Sequence, residues 1–125
     1  MSLPLSDSHW SRLCPQAAGD FDPRLETLRV MATALARGAP WIGQDPVTGL
    51  LRFLADALPQ GVDMRPPGAA GHSFDERWLL ALLDAQAQGD SAAYRFLLRS
   101  RMGQADASEA HFRATQARIW LEARL

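Results

Sequence analysis

Apolar residues recur along most of this chain at intervals of three and four, and turn-forming residues interrupt them at regular places. The first such stretch opens at Asp22-Pro23, an N-cap followed by proline at the first helical position, where the missing N–H costs nothing. Leu25, Leu28, Ala32 and Leu35 mark one face, and Gly38 with Pro40 closes the helix. Asp45-Pro46 repeats that opening, with Leu50, Leu51, Leu54 and Leu58 as the stripe before Pro59 and Gly61. Ser73 and Glu76 have capping-box spacing and open a third helix through Trp78, Leu79, Leu82, Leu83 and Gln86, ended by Gly89. Asp90 or Ser91 caps a fourth, carrying Tyr94, Leu97, Leu98 and Met102 and closed by Gly103. Asp106 and Glu109 open the last, which is expected to turn Phe112, Gln116, Ile119, Trp120 and Ala123 inward.

Nothing between these segments alternates with period two for long enough to make a strand. The pattern predicts an all-α fold: a compact bundle of about five helices, each roughly 18 to 27 Å long, joined mostly by short loops. Residues 1–125 are expected to form a single helical domain, with 1–20 as a possible N-terminal arm that mixes Pro4 and Pro15 with Leu3, Leu5, Trp10 and Leu13. The long Pro/Gly-rich loop over 59–72, with three prolines and three glycines, reads as a connection across the end of the bundle. Met64 and Arg65 are its contact-capable side chains if it binds anything.

Segments 22–38 and 45–61 match at an offset of 23, including Leu28 with Leu51, Arg29 with Arg52 and Leu35 with Leu58. A duplicated hairpin leaves such a trace, but so do two Ala/Leu-rich helices that share cap chemistry, and the later helices do not continue it. Shared cap chemistry is the favoured reading.

Composition narrows the function classes. A chain of 125 residues, 47% apolar and 22% charged, is ordinary globular material, long enough for a core without disulfide or metal staples. Thirteen basic against fourteen acidic residues leave a net charge of −1, without the basic surplus of a dedicated nucleic-acid binder. All thirteen basic residues are arginine, so mechanisms that need a lysine, such as a Schiff base or a Walker-type phosphate contact, are excluded. The Ala, Arg, Gly and Pro content fits a GC-rich, bacterial coding sequence. No apolar run approaches about 20 residues, so no membrane span is expected. Residues 1–19 lack a basic and then apolar leader pattern, and a single cysteine, Cys14, allows no internal disulfide; the cytoplasm is the expected compartment.

Candidate chemistry is sparse. His9, Cys14, His72 and His111 are the nitrogen and sulfur ligands, and no two stand at the spacing that places a pair on one helix face. Cys14-Pro15 matches the minimal dipeptide of heme-responsive motifs, too short a match to carry a heme. No nucleophile elbow positions a serine or cysteine, and Asp75 with Glu76 reads as helix capping rather than an acid/base pair. Ala85 and Gly89 have helix-turn-helix spacing, but Asp84, Asp90 and Arg95 stand where apolar residues belong. Arg95, Arg99 and Arg101 form a local basic cluster, balanced overall by seven acids against seven arginines from Ser73 onward.

Interaction is what remains. Of Trp10, Trp41, Trp78 and Trp120, Trp41 is least obliged by helix periodicity to be buried. Phe96 stands off the apolar face of the fourth helix between Arg95 and Arg99, and Leu80 similarly leaves the stripe of the third. The expected role is a non-enzymatic protein-interaction or regulatory module, with Trp41, Arg95, Phe96 and Arg99 as its surface. The expected partner is another protein or a second copy of the chain, with no nucleic acid, membrane, cofactor, metal or catalytic residues. The alternative is a helical protein that holds a small apolar ligand, with room beside Met31 and Met102.

Overall fold

Helix starts form where the cap chemistry puts them. The computed structural model describes residues 22–39 and 45–125. Among these, five helices follow in order: α1 (Pro23–Arg37), α2 (Pro46–Ala57), α3 (Phe74–Gln88), α4 (Ser91–Arg99) and α5 (Gln104–Arg124). The described residues contain no strand, so the all-α expectation holds. Asp22 accepts from the Arg24 amide at 2.9 Å and Asp45 from the Thr48 amide at 2.8 Å. At α3 both halves of the capping box are made: Ser73 Oγ accepts from the Glu76 amide, and Glu76 Oε1 accepts from the Ser73 amide at 2.9 Å. Gly38 and Gly89 end α1 and α3 in the left-handed conformation. The postulated N-terminal arm and Pro40 lie outside the described residues.

Two boundaries differ from expectation. α4 stops at Arg99, so Met102, though buried, belongs to the following turn. α5 starts at Gln104 after Gly103, which provides no side-chain cap, and Asp106 lies inside its first turn. There its carboxylate still meets the positive end of the helix dipole.

α3 is the central helix. Trp78, Leu79, Leu80, Ala81, Leu82 and Leu83 are all buried, which explains why Leu80 departs from a one-sided stripe. The first half of α1 runs antiparallel to it, linked by Arg24–Asp84 near its start and by Arg29–Glu76 at its middle. α4 is also antiparallel: Trp78 Nε1 donates to the Leu97 carbonyl at 2.9 Å, and Gln86 meets Tyr94. The buried apolar residues of all five helices form one cluster.

α5 presents a different face from the one its large residues suggest. Ala107, Ala110, Ala114, Ala117 and Leu121 point inward, while Phe112 and Ile119 are 60% and 52% exposed and Gln116 and Ala123 are also exposed. Only Trp120 among the expected inward residues is half-buried, with the Arg124 guanidinium 3.9 Å from its ring centroid. The reason is size. α5 makes its broadest contact with α2, and a row of alanines lets the two backbones approach closely. On the α2 side, a Cβ added at Gly49 would come within 3.0 Å of Arg113 Nη1.

The segments at an offset of 23 keep their Asp-Pro starts and buried Leu28 and Leu51. Their surroundings diverge: Arg29 is buried, whereas its counterpart Arg52 is exposed.

Candidate functional site

α4 is only nine residues long and commits little of itself to the core. Leu97 and Leu98 are buried, with Ala93 and Tyr94 packed partly against the cluster. The side of α4 that faces α5 carries Ser91, Tyr94, Arg95, Leu98 and Arg99, the three-four spacing of one helix face. Opposite, α5 contributes Gln104, Ala107, Ser108 and His111, and between the two runs an open groove of about 560 Å³. Buried Leu98 and Ala107 form its apolar floor.

The polar groups of this groove are oriented by a chain of hydrogen bonds. Arg118 Nε can only donate, so Gln86 Oε1, at 2.7 Å, is its acceptor. That fixes the Gln86 amide, whose Nε2 donates to Tyr94 Oη at 3.0 Å and to Thr115 Oγ1 at 2.8 Å. Tyr94 Oη then meets His111 Nδ1, 2.8 Å away, in a hydrogen bond whose direction follows the imidazole tautomer. The two rings meet edge to face. Burial raises the Tyr94 pKa, offset in part by the Gln86 hydrogen bond and by Arg118, so the phenol keeps its proton.

The proposed interaction residues fall in different places. Arg95 and Arg99 both line the groove, and Arg99 donates to Gln104 Oε1 at 2.8 Å. Arg95 has no hydrogen-bond or ion-pair partner among the described residues. Phe96 is 71% exposed but lies about 100° further round α4, beside the groove and not in it. Trp41 lies outside the described residues, as do His9 and Cys14. Arg101, the third member of the basic cluster, is engaged elsewhere: it pairs with Asp75 at 2.7 Å and stacks over Phe74 and Trp78. Asp84 pairs with Arg24, and Asp90 caps α4 through the Ala93 amide. Among the described residues no three of His, Cys, Asp and Glu come together to hold a metal ion.

Sequence reasoning missed a second polar cluster. Arg29 is 3% exposed and Glu76 0% exposed, and they pair through Arg29 Nε to Glu76 Oε2 at 2.8 Å and Nη2 to Oε1 at 3.0 Å. Arg29 also donates to the carbonyls of Ala69 and Gly71, and Glu76 accepts from the Arg65 amide. The 59–72 loop is thereby stitched to α1 and α3. Arg65 turns to the Ala70 carbonyl, and Met64 packs partly against the core. Burial pushes the Glu76 carboxyl up, but the hydrogen bonds from Arg29, Ser73 and Arg65 outweigh it and hold its pKa below the usual range. Beside this cluster His72 Nδ1 and Arg77 Nε are buried without a hydrogen-bond partner among the described residues, and burial lowers the His72 pKa. The signal in the sequence was an arginine four residues after Leu25, inside an apolar register.

A separate apolar groove of about 510 Å³ lies between α1, α2 and the loop, bounded by Ala32, Leu35, Leu51, Ala55, Val62 and Met64. Met31 and Met102, the residues expected beside a ligand, are instead buried in the core. No described helix is long and apolar enough to cross a membrane. Comparison with protein-family models, with curated proteins and with solved structures finds no match to this chain.

Proposed function

We propose that this chain is a non-enzymatic protein-interaction module whose working surface is the α4–α5 face. The observation that carries this reading is Phe96, 71% exposed on a short helix between Arg95 and Arg99. A large aromatic held in water beside arginines is the composition that carries most binding energy at protein interfaces. The oriented polar groups of the neighbouring groove add directional contacts to that anchor. The partner is a different protein or a second copy of the chain.

Native mass spectrometry together with affinity capture tests the reading. The wild-type chain is expected to associate with itself or with one identified partner that rebinds after separate purification. Phe96→Ala should weaken that association by about tenfold or more, the loss of a buried aromatic anchor, with helix content unchanged. Equal association by Phe96→Ala and wild type would remove this face as the working surface.

A second reading rests on the apolar groove between α1 and α2, whose lining of alanines, Leu35, Val62 and Met64 suits a small apolar ligand. An extra non-protein mass on the native chain, lost in Ala55→Trp, would support it. A bare chain whose melting is unmoved by apolar dyes and fatty acids would refute it.

A further inference from the structure

We propose that the groove between α4 and α5 recognises an acidic peptide segment of the partner, with the carboxylates held by Arg95 and Arg99. This rests on the interaction reading above and specifies the partner's chemistry.

Charge is the first argument. Arg24, Arg29, Arg101, Arg113 and Arg118 each pair with a carboxylate of the same chain. Arg95 and Arg99 do not, a state they share with Arg37, Arg52, Arg65, Arg77 and Arg124, but these two stand in one groove that no Asp or Glu lines among the described residues. Placed four apart on one helix face, their guanidiniums reach the same stretch of groove. A guanidinium presents a planar fork of donors that fits a carboxylate two bonds at a time.

The second argument is the set of donors around them. The Arg118–Gln86–Tyr94 chain engages His111 Nδ1 and holds the imidazole in the groove wall, with Nε2 as the nitrogen outside that chain. The Ser91 hydroxyl lies along the same wall, whereas Ser108 donates its own proton to the Gln104 carbonyl. The two guanidiniums therefore meet no carboxylate among the described residues of the groove, which suits an anion and disfavours a cation.

Shape is the third. The groove follows α4 from Ser91 to Arg99, about 12 Å at the helical rise per residue. An extended peptide advances roughly 3.3 Å per residue, so three or four residues fit. Leu98 and Ala107 on the floor leave room for an apolar side chain between two acidic ones. The occupant is an extended acidic–apolar–acidic segment.

The test is an ¹H–¹⁵N titration of the full chain with the peptide acetyl-Asp-Leu-Asp-Leu-Asp-amide. Its Asn-Leu analogue and inorganic phosphate serve as comparison probes. Shifts confined to Tyr94, Arg95, Arg99, Ser108 and His111, absent with the Asn-Leu analogue, are the expected result. The double variant Arg95→Gln/Arg99→Gln should raise the dissociation constant about tenfold or more, with its helical circular dichroism unchanged. Arg37→Gln, on the exposed end of α1, should bind as the wild type does. No shift in the groove, equal shifts from the Asn-Leu peptide, or equal binding by the double variant would each overturn the proposal. So would inorganic phosphate that saturates the same residues and excludes the peptide, because the site would then serve a free anion. If the partner association described above is lost in Phe96→Ala but kept in the double variant, the interaction reading stands and only the acidic-peptide assignment falls.

Discussion

Arg29 and Arg95 are the same side chain in opposite circumstances. Arg29 is 3% exposed and spends four of its five N–H donors on Glu76, Ala69 and Gly71. Arg95 is exposed on α4 and donates to nothing in the described chain. The first holds a fourteen-residue connection against two helices; the second lines a groove that has no carboxylate among the described residues. A guanidinium whose donors are nearly all used inside the fold is a structural part, and its removal strands a buried charge. One left open at low stability cost is available to something else. The contrast separates scaffold from surface in a chain where every cation is an arginine and composition alone cannot.

The largest effect should follow from breaking the closed pair. Arg29→Ala is expected to cost about 3–5 kcal/mol, because Glu76, fully buried, loses the charge that compensates it. The loop carbonyls of Ala69 and Gly71 lose their partners in the same step. Urea unfolding should show the loss as a lower midpoint. The paired replacement Arg29→Met with Glu76→Leu should recover a large part of it, since neither charge is then stranded. Equal losses in the single and paired variants would show that the stitched loop, and not charge pairing, is what the cluster provides.

Gly71 tests the loop end of that cluster at a smaller scale. Its φ is +71°, and a Cβ there would lie 3.1 Å from Arg65 Nη1. Gly71→Ala is expected to cost about 1–2 kcal/mol from the left-handed backbone alone. Thermal melting read against Arg95→Gln would place the effect on the closed cluster's side of the comparison.

Acid should also separate the two regions. The His72 pKa is lowered from 6.5 by burial and by Arg29 and Arg77, with Glu76 and Asp22 opposing. Below pH 6.5 the unfolded chain therefore takes up a proton before the folded one does, and stability falls as pH falls through that window. Glu76, lowered from 4.5, adds stability above its unfolded pKa and loses it as pH drops through its folded value. Both steps have the same sign, so stability should decline monotonically on acidification, first just under pH 6.5 and again below pH 4.5. Urea midpoints measured from pH 7.5 to 3 check this, and His72→Asn should flatten the upper step while leaving the lower one. A stability that rises between pH 6.5 and 5.5 would contradict it.

How much of this was legible in the sequence differs by element. Cap residues announced α1, α2 and α3, because Asp, Ser and Gly at those positions make local hydrogen bonds that need no tertiary context. α5 was legible as a helix but not in its orientation. Phe112 and Ile119 mark a stripe as convincing as the alanines do, and only the closeness of α2 decides that the small side goes inward. The same limit applies to polar residues. Glu76 read correctly as a cap, but its bond to Arg29, 47 positions away, required knowing that α1 and α3 lie side by side. Arg95 and Arg99 were identifiable as one exposed helix face, whereas Tyr94 and His111 joined them only when α5 folded back along α4.

The smallest expected effect belongs to the open side of the comparison. Arg95→Gln should change unfolding stability by no more than about 0.5 kcal/mol, as for an exposed substitution that breaks no cap, core contact or ion pair. Arg99→Gln gives up only the bond to Gln104 Oε1 and belongs in the same range. Salt sharpens the point. With no ion pair to a carboxylate among the described residues, neither variant should change the dependence of stability on ionic strength, whereas Arg113→Gln, which breaks the exposed pair with Glu109, should reduce it slightly. The measurement is a set of urea curves at low and high salt. A loss above about 1 kcal/mol for Arg95→Gln would give that residue a packing role through its aliphatic stem. It would then stand with Arg29 among the structural arginines, and the distinction between the two regions would collapse.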